Sequence, residues 1–315
     1  MLNDPNDQLA DGTFALVQIH IGGDGLPSWA GRGSFYGVAG APVAVFDGAL
    51  WVVGTSTDVQ TQFDIYLGKS GQRRAVPTDV TITATGTEDS GQTYVINARV
   101  CIEPGGTAKT LRIYMVQDLD YYGCTYCRYT FMQAGATQDI TLQPGQCAVI
   151  SKSFTFDSTS WAARTAIKMV VWAQEPQSSG LQNDPAEVFQ ACTMHWPFPP
   201  DCNVNGIPDG DDIAGGTSQD CNANAIPDEC DISNGTSEDA NSNAIPDECE
   251  IVTGDMNCDG SVDFGDINPF VLLITDPQAW QTAYPGCLLA NGDCNVDGVI
   301  GFADINPFIA ILTGQ

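Results

Sequence analysis

After Lys168 the chain contains no lysine and no arginine, yet residues 201–315 hold 21 of its 39 acidic residues. All 11 basic residues lie in the first 200 positions, against 18 acids there, a net of −7. The formal charge of −28 therefore resides mostly in the last third, at −21. A folded segment of that charge density repels itself unless cations neutralise it. A salt-adapted surface would spread acid along the whole chain, which this sequence does not do. The lack of a basic face argues against nucleic acid and anionic membrane as partners. Hydrophobic residues make up 43%, enough to build a core. No run approaches the roughly 20 apolar residues of a membrane span.

The acids follow a pattern. DCNVNGIPDGDDIAGGTSQ (201–219), DCNANAIPDECDISNGTSE (220–238) and DANSNAIPDECEIVTGDMN (239–257) align without gaps. Acidic and amide residues recur at loop positions 1, 3, 5, 9 and 12. They are Asp201, Asn203, Asn205, Asp209 and Asp212 in the first repeat. The second has Asp220, Asn222, Asn224, Asp228 and Asp231, and the third Asp239, Asn241, Asn243, Asp247 and Glu250. Hard oxygen ligands on alternate residues of a tight loop suit Ca²⁺, which takes about 6–8 oxygens. A flexible acidic linker has no need of such spacing. Ala225 and Ala244 stand at position 6, where glycine eases the turn. The repeats resemble thrombospondin type 3 calcium repeats.

Two further loops continue the pattern. DMNCDGSVDFGD (255–266) carries Asp255, Asn257, Asp259, Ser261, Asp263 and Asp266 at positions 1, 3, 5, 7, 9 and 12. DCNVDGVIGFAD (293–304) carries Asp293, Asn295, Asp297, Val299 and Asp304 at positions 1, 3, 5, 7 and 12, with Gly301 at position 9. Each is followed by an apolar helix, INPFVLLI or INPFIAIL, with Pro269 and Pro307 in the first turn. Neither has an ordinary entering helix. This duplicated loop plus exit helix resembles a type I dockerin module. The resemblance implies docking to a cohesin on a scaffold or cell surface. In that family a hydroxyl pair at loop positions 10 and 11 sets partner choice. Here those positions are Phe264-Gly265 and Phe302-Ala303, which points away from an ordinary cohesin. Phe264 and Phe302 are either apolar anchors for a partner or core between the helices. Five divalent ions, +10 in all, would cut the −21 of the tail to −11.

Twelve cysteines with only two histidines and no paired CxxC fit disulfides in an oxidising compartment better than zinc. In the repeats, position 2 is Cys202, Cys221 and then Ala240, while position 11 is Asp211, Cys230 and then Cys249. Pairing position 2 of one repeat with position 11 of the next uses all four, whereas pairing within a repeat strands two, predicting Cys202–Cys230 and Cys221–Cys249. Cys258 and Cys287 form a plausible local pair, leaving Cys294 in need of another partner. Cys101, Cys147 and Cys192 lie on or near strands and are candidates to staple them, with connectivity open. Cys124 and Cys127 form the one CxxC, in a tyrosine-rich loop rather than at a helix start, so a structural disulfide is the expectation. His195 falls in an interdomain segment.

The N-terminal part reads as strand 13–21, helix 28–38, strands 43–46 and 50–53 around a turn at Asp47 and Gly48, and helix 56–75. FYGVAGAPVAVFDG resembles a family of bacterial outer-membrane lipoproteins that join a thioredoxin-like domain to a β-sandwich. That resemblance implies a cis-proline at Pro42. The family's first strand and CxxC would lie before residue 1, so a truncated, redox-inert thioredoxin-like domain is expected. The opening MLNDPNDQ has no export signal, so the chain is expected to begin inside a longer gene product. Short strands at 79–85, 93–102, 110–117, 138–142, 147–156, 165–173 and 186–191 predict an antiparallel β-sandwich.

The expected fold is therefore multidomain. A truncated α/β thioredoxin-like domain (1–75) precedes an all-β antiparallel sandwich (76–198). An irregular calcium-repeat segment (199–254) and a small α-helical dockerin-like module (255–315) follow. The expected function is that of an exported, non-catalytic, calcium-binding docking protein, extracellular or at the cell surface. The alternative is a relative of thiol-disulfide oxidoreductases whose CxxC segment lies outside this chain. No carboxylate pair in a recognisable motif, GxSxG elbow or phosphate loop is present.

Overall fold

The computed structural model describes Ala15 and residues 29–38, 43–54, 56–120 and 129–314. Strand 13–21, Pro42, Cys124 and Cys127 lie largely or wholly outside the described residues. The chain divides into two compact units, Met1–Pro208 and Asp209–Gln315.

The first unit opens with helix α1 (Ala30–Phe35), strands β1 (Val43–Phe46) and β2 (Leu50–Val53), and helix α2 (Val59–Arg74). The β1–β2 turn has Asp47 at φ 47° and Gly48 at φ 68°. Two successive positive φ values give the backward turn that matches strand twist. Asp58 starts α2, its carboxylate accepting the Thr61 N–H at 2.7 Å. Arg73 at the end of α2 binds Asp47 at 3.3 Å and Glu187 at 2.5 Å, tying the helix to the hairpin turn.

Eight strands follow: β3 (Val80–Ser90), β4 (Thr93–Ile102), β5 (Lys109–Leu119), β6 (Thr130–Ala134), β7 (Gln138–Leu142), β8 (Cys147–Thr155), β9 (Ile167–Gln174) and β10 (Val188–His195). Helix α3 (Ser158–Ala162) interrupts them. They form two antiparallel sheets, β3-β4-β8 and β10-β9-β5, with β6 and β7 each pairing a different half of β5. β4 alternates toward the core, whereas β9 is buried at every residue, as befits a central strand. One core built from both sheets includes Ile96, Val100, Leu111, Ile113, Met169 and Val171. Cys101 pairs with Cys147 directly across β4 and β8 and joins it by a disulfide.

Sequence reading left β6 and α3 unassigned. It also placed His195 in a linker, but His195 ends β10 opposite Lys168. Cys192 lies on β10 and carries a free thiol, pushed up to about 12 by burial, so it staples nothing. On the outer face of the larger sheet, buried Arg32 of α1 sits 4.4 Å from the Tyr114 ring centre and 5.4 Å from that of Trp172. It also donates to the Tyr36 hydroxyl at 2.9 Å and to the Gln174 carbonyl.

The second unit contains α4 (Asp209–Gly215), α5 (Asp228–Asn234), α6 (Asp247–Glu250), α7 (Ile267–Thr275), α8 (Pro277–Ala283) and α9 (Ile305–Thr313). Its core is small: Met256, Phe270, Leu273, Trp280, Cys294 and Phe308. Phe270 and Phe308, equivalent positions of the two INPF helices, stack at 4.2 Å. The boundary between the units falls inside the first 19-residue repeat, whose 201–207 turn belongs to the first unit. There Thr85 donates to Asp201 at 2.9 Å and Thr83 to the Gly206 carbonyl at 2.6 Å, fastening the turn to β3.

Candidate metal centres

All five loops begin with the same turn. The position 1 carboxylate accepts the position 5 N–H on Oδ1 and the position 6 N–H on Oδ2. For Asp201 these bonds are 3.1 and 2.9 Å, for Asp220 3.0 and 2.9 Å, and for Asp239 3.0 and 2.9 Å. For Asp255 they are 3.3 and 2.9 Å, and for Asp293 3.1 and 2.8 Å. Position 3, held by Asn203, Asn222, Asn241, Asn257 or Asn295, also accepts the position 5 N–H. Position 5, held by Asn205, Asn224, Asn243, Asp259 or Asp297, accepts the position 7 N–H. Short polar side chains that bond their own backbone two residues on are what wrap such a loop.

The backbone follows suit. Position 4 is left-handed in every loop, from φ 53° at Cys258 to 59° at Ser242. Position 6 is left-handed too, at Gly206, Gly260 and Gly298 without cost, but also at Ala225 and Ala244 (φ 67° and 68°). The two alanines therefore keep the glycine conformation despite their Cβ.

The loops differ in how position 12 closes them. Asp266 accepts N–H groups from Met256 (2.7 Å), Asn257 (3.1 Å) and Asp263 (2.9 Å), and Asp304 accepts them from Asn295 (3.1 Å) and Gly301 (2.8 Å). Both are fully buried. In the second repeat Asp231 Oδ2 accepts the side-chain amides of Asn222 and Asn224 at 3.1 and 2.8 Å. Its Oδ1 is buried with no hydrogen-bond partner among the described residues. Glu250 accepts the amides of Asn241 and Asn243 at 3.0 and 2.6 Å. Asp228 and Asp247, at position 9, accept the Cys221 and Ala240 N–H groups at 3.0 and 2.9 Å. Asp209 and Asp212 lie on α4 and are buried.

The carboxylates of this unit have no side-chain cation near them in sequence, because residues 209–315 contain no Lys, Arg or His. A buried carboxylate needs a counter-charge, several donors or a proton. Oxygen donors on preformed turns, with the Ser261 and Val299 carbonyls at position 7, have the chemistry of a hard-cation site.

Disulfides frame the loops. Cys221 joins Cys249, linking position 2 of the second repeat to position 11 of the third. Cys258 joins Cys287, and Cys202 and Cys230 are both disulfide-bonded. Cys294 does not find another partner: it is a buried free thiol donating to the Asn291 carbonyl at 3.9 Å, and burial pushes it up to about 11.

Two residues that sequence reading passed over hold the 255–266 loop. Asn291 Nδ2 donates to the Asp255 carbonyl at 2.9 Å while its Oδ1 accepts the Val252 N–H at 3.1 Å. Fully buried Trp280 donates to the Met256 carbonyl at 3.1 Å. Both tie the first residues of the loop to segments that follow α7.

Phe264 and Phe302 are each 77% exposed, which rules out the core role. Phe264 borders an apolar groove of about 280 Å³ between α7 and α9, with Ile267, Val271, Ile305 and Ile309 along it.

No protein-family model matches the sequence, and no curated protein does. Among solved structures, HBP35 of Porphyromonas gingivalis is similar at 9% identity and TM-score 0.39, over 53% of this chain and 56% of that one. A domain of the outer membrane lipoprotein Omp28 from Porphyromonas gingivalis is similar at 12% identity and TM-score 0.25, over 38% of this chain and 90% of that one. A β-glucosidase from Kluyveromyces marxianus follows at 8% and 0.23, over 38% and 14%. The chain thus spans little more than half of HBP35, and at these TM-scores the likenesses transfer no activity to it.

Proposed function

We propose that the chain is an exported, non-catalytic calcium-binding protein, extracellular or at the cell surface, whose C-terminal module docks to a cohesin-like or other scaffold protein. The observation that carries the calcium reading is the turn repeated at every loop, aiming carboxylate and amide oxygens inward in a stretch without a basic side chain. Calcium would be held by Asp255, Asn257, Asp259, Asp263 and Asp266, by Asp293, Asn295, Asp297 and Asp304, and by the corresponding residues of the second and third repeats. Its role is structural: it neutralises carboxylates in a stretch of chain without a basic side chain and fixes the exit helices. Docking rests on two exposed phenylalanines, Phe264 and Phe302, and on the apolar groove that Phe264 borders, in an acidic unit.

Far-UV circular dichroism and thermal melting of the full chain, in calcium and in chelator, test the metal half. Identical curves in both would falsify it. A cohesin domain is the first probe for docking. Retention in calcium, release by chelator and loss in the Phe264→Ala/Phe302→Ala double variant support the reading. Retention that survives the double variant overturns the role of these side chains, and no retention overturns a cohesin as the partner.

A further inference from the structure

We propose that Lys168 and Asp118 condense into an intramolecular amide, a covalent cross-link between β9 and β5. The antiparallel register sets the two residues directly opposite each other. Their side chains are sealed, at 4% and 0% exposure, and Lys168 Nζ lies 3.5 Å from Asp118 Oδ2. Neither Asp118 oxygen has a partner within normal hydrogen-bond distance among the described residues, so the Lys168 ammonium that faces it is the cation opposite the carboxylate. The Lys168 ammonium also rests 3.3 Å from the centre of the Tyr129 ring. Ile167 and Met169, which flank Lys168, and Leu119, beside Asp118, are buried as well, so the pair's chain neighbours on both strands are out of solvent.

Burial pushes the Asp118 carboxyl up to about 8, against the pull of Lys168 and with a smaller push from Asp120. Two charges buried together are costly unless donors and acceptors satisfy them, and here the acceptor side goes unsatisfied. Passing a proton from ammonium to carboxylate leaves a neutral amine facing a neutral acid. The Nζ lone pair then attacks Cγ and the C–N bond forms. The protonated oxygen departs with a proton from Nζ as water. The balance is one ammonium and one carboxylate giving one amide and one water, with no oxidant, reductant or co-reactant. The product removes both buried charges and leaves the net charge of the chain unchanged.

The test is the intact mass of the reduced, denatured full chain. The expected value is below the sequence mass by about 18 Da, one water. Succinimides at Asp-Gly pairs give the same loss, so the site must be located. Digestion with trypsin and chymotrypsin should yield a branched peptide in which Lys168, uncleaved by trypsin, carries Asp118. The Lys168→Arg variant keeps the charge and should show its full sequence mass. A wild-type chain at its sequence mass, a loss mapped elsewhere, or the same loss in Lys168→Arg overturns the proposal. The wild-type mass alone decides the matter if the variant fails to fold.

Discussion

Ala225 and Ala244 sit at φ 67° and 68°, where the 255–266 and 293–304 loops have glycine. An L-residue there costs roughly 1–2 kcal/mol, of which glycine returns part as chain entropy on unfolding. Ala225→Gly and Ala244→Gly should therefore each stabilise the calcium-loaded chain by about 1 kcal/mol, read as a rise in Tm. A lower Tm would mean that the alanine methyls make contacts worth more than the strain. The opposite logic applies at Gly48. A Cβ there would lie 1.9 Å from the Ala186 carbonyl oxygen, on a backbone already at positive φ. Gly48→Ala should cost more than about 2 kcal/mol by urea unfolding. Asp79 offers a pH test. The Lys109 ammonium at 2.5 Å holds its carboxyl down at about 2. Its unfolded value is near 3.9, so the pair's contribution is complete above that value and disappears as the pH falls through about 2. The pair is near the surface, so Asp79→Asn should cost at most about 1 kcal/mol at pH 7. That gap should close by pH 2. A gap that persists there would show that Asp79 acts through packing.

The loop and its exit helix form one unit because Asp266 serves both. Its carboxylate closes the 255–266 loop and accepts the Asp263 N–H just before α7. Asn291 secures the start of that loop from another segment. Asn291→Ala would strand the Asp255 carbonyl and the Val252 N–H, at about 1–3 kcal/mol. Calcium titration should then show the 255–266 site weakened and the 293–304 site nearly unchanged; equal weakening of both would place Asn291 in general packing. This difference also marks what was legible in the sequence. Loop chemistry is local, so ligand spacing alone located all five turns. The Cys221–Cys249 pairing was readable because the missing cysteines fall at the ends of the array. Helix α8 announces itself by Asp276 and Pro277, an N-cap and first-turn proline whose signal went unused. Asn291, Trp280 and the Asp118–Lys168 pair leave no such trace, since each depends on a register or contact made far along the chain. β6 is defined by its bulged pairing to β5, and five-residue α3 is too short for any periodicity.

Charge divides the chain more sharply than fold does. The ion pairs found among the described residues, such as Arg112–Asp139 and Lys109–Asp79, lie in the first unit. The second unit carries acids and no basic side chain, so on the proposed reading its stability should respond to the cations in solution. Two effects of added salt must be told apart. Screening by any electrolyte shortens the Debye length, from about 10 Å at 0.1 M to about 3 Å at 1 M, and relieves repulsion in general. Binding adds RT ln(1 + [L]/Kd) per site, about 2.7 kcal/mol at 100 times Kd, and requires the right ion. Magnesium wants a smaller octahedral cage and keeps its waters, so it should substitute poorly. Calorimetry of the full chain in chelator should therefore show the second unit melting well below the first. Millimolar calcium should raise that transition and leave the first in place. The near-ultraviolet signal of Trp280, buried in the second core, should follow the calcium-sensitive transition in a variant whose other tryptophans are replaced. Sodium chloride or magnesium at matched ionic strength should produce only a small part of the shift. If either reproduces it in full, the acidic loops act as a screened polyanion and the ligand spacing has no bearing on stability.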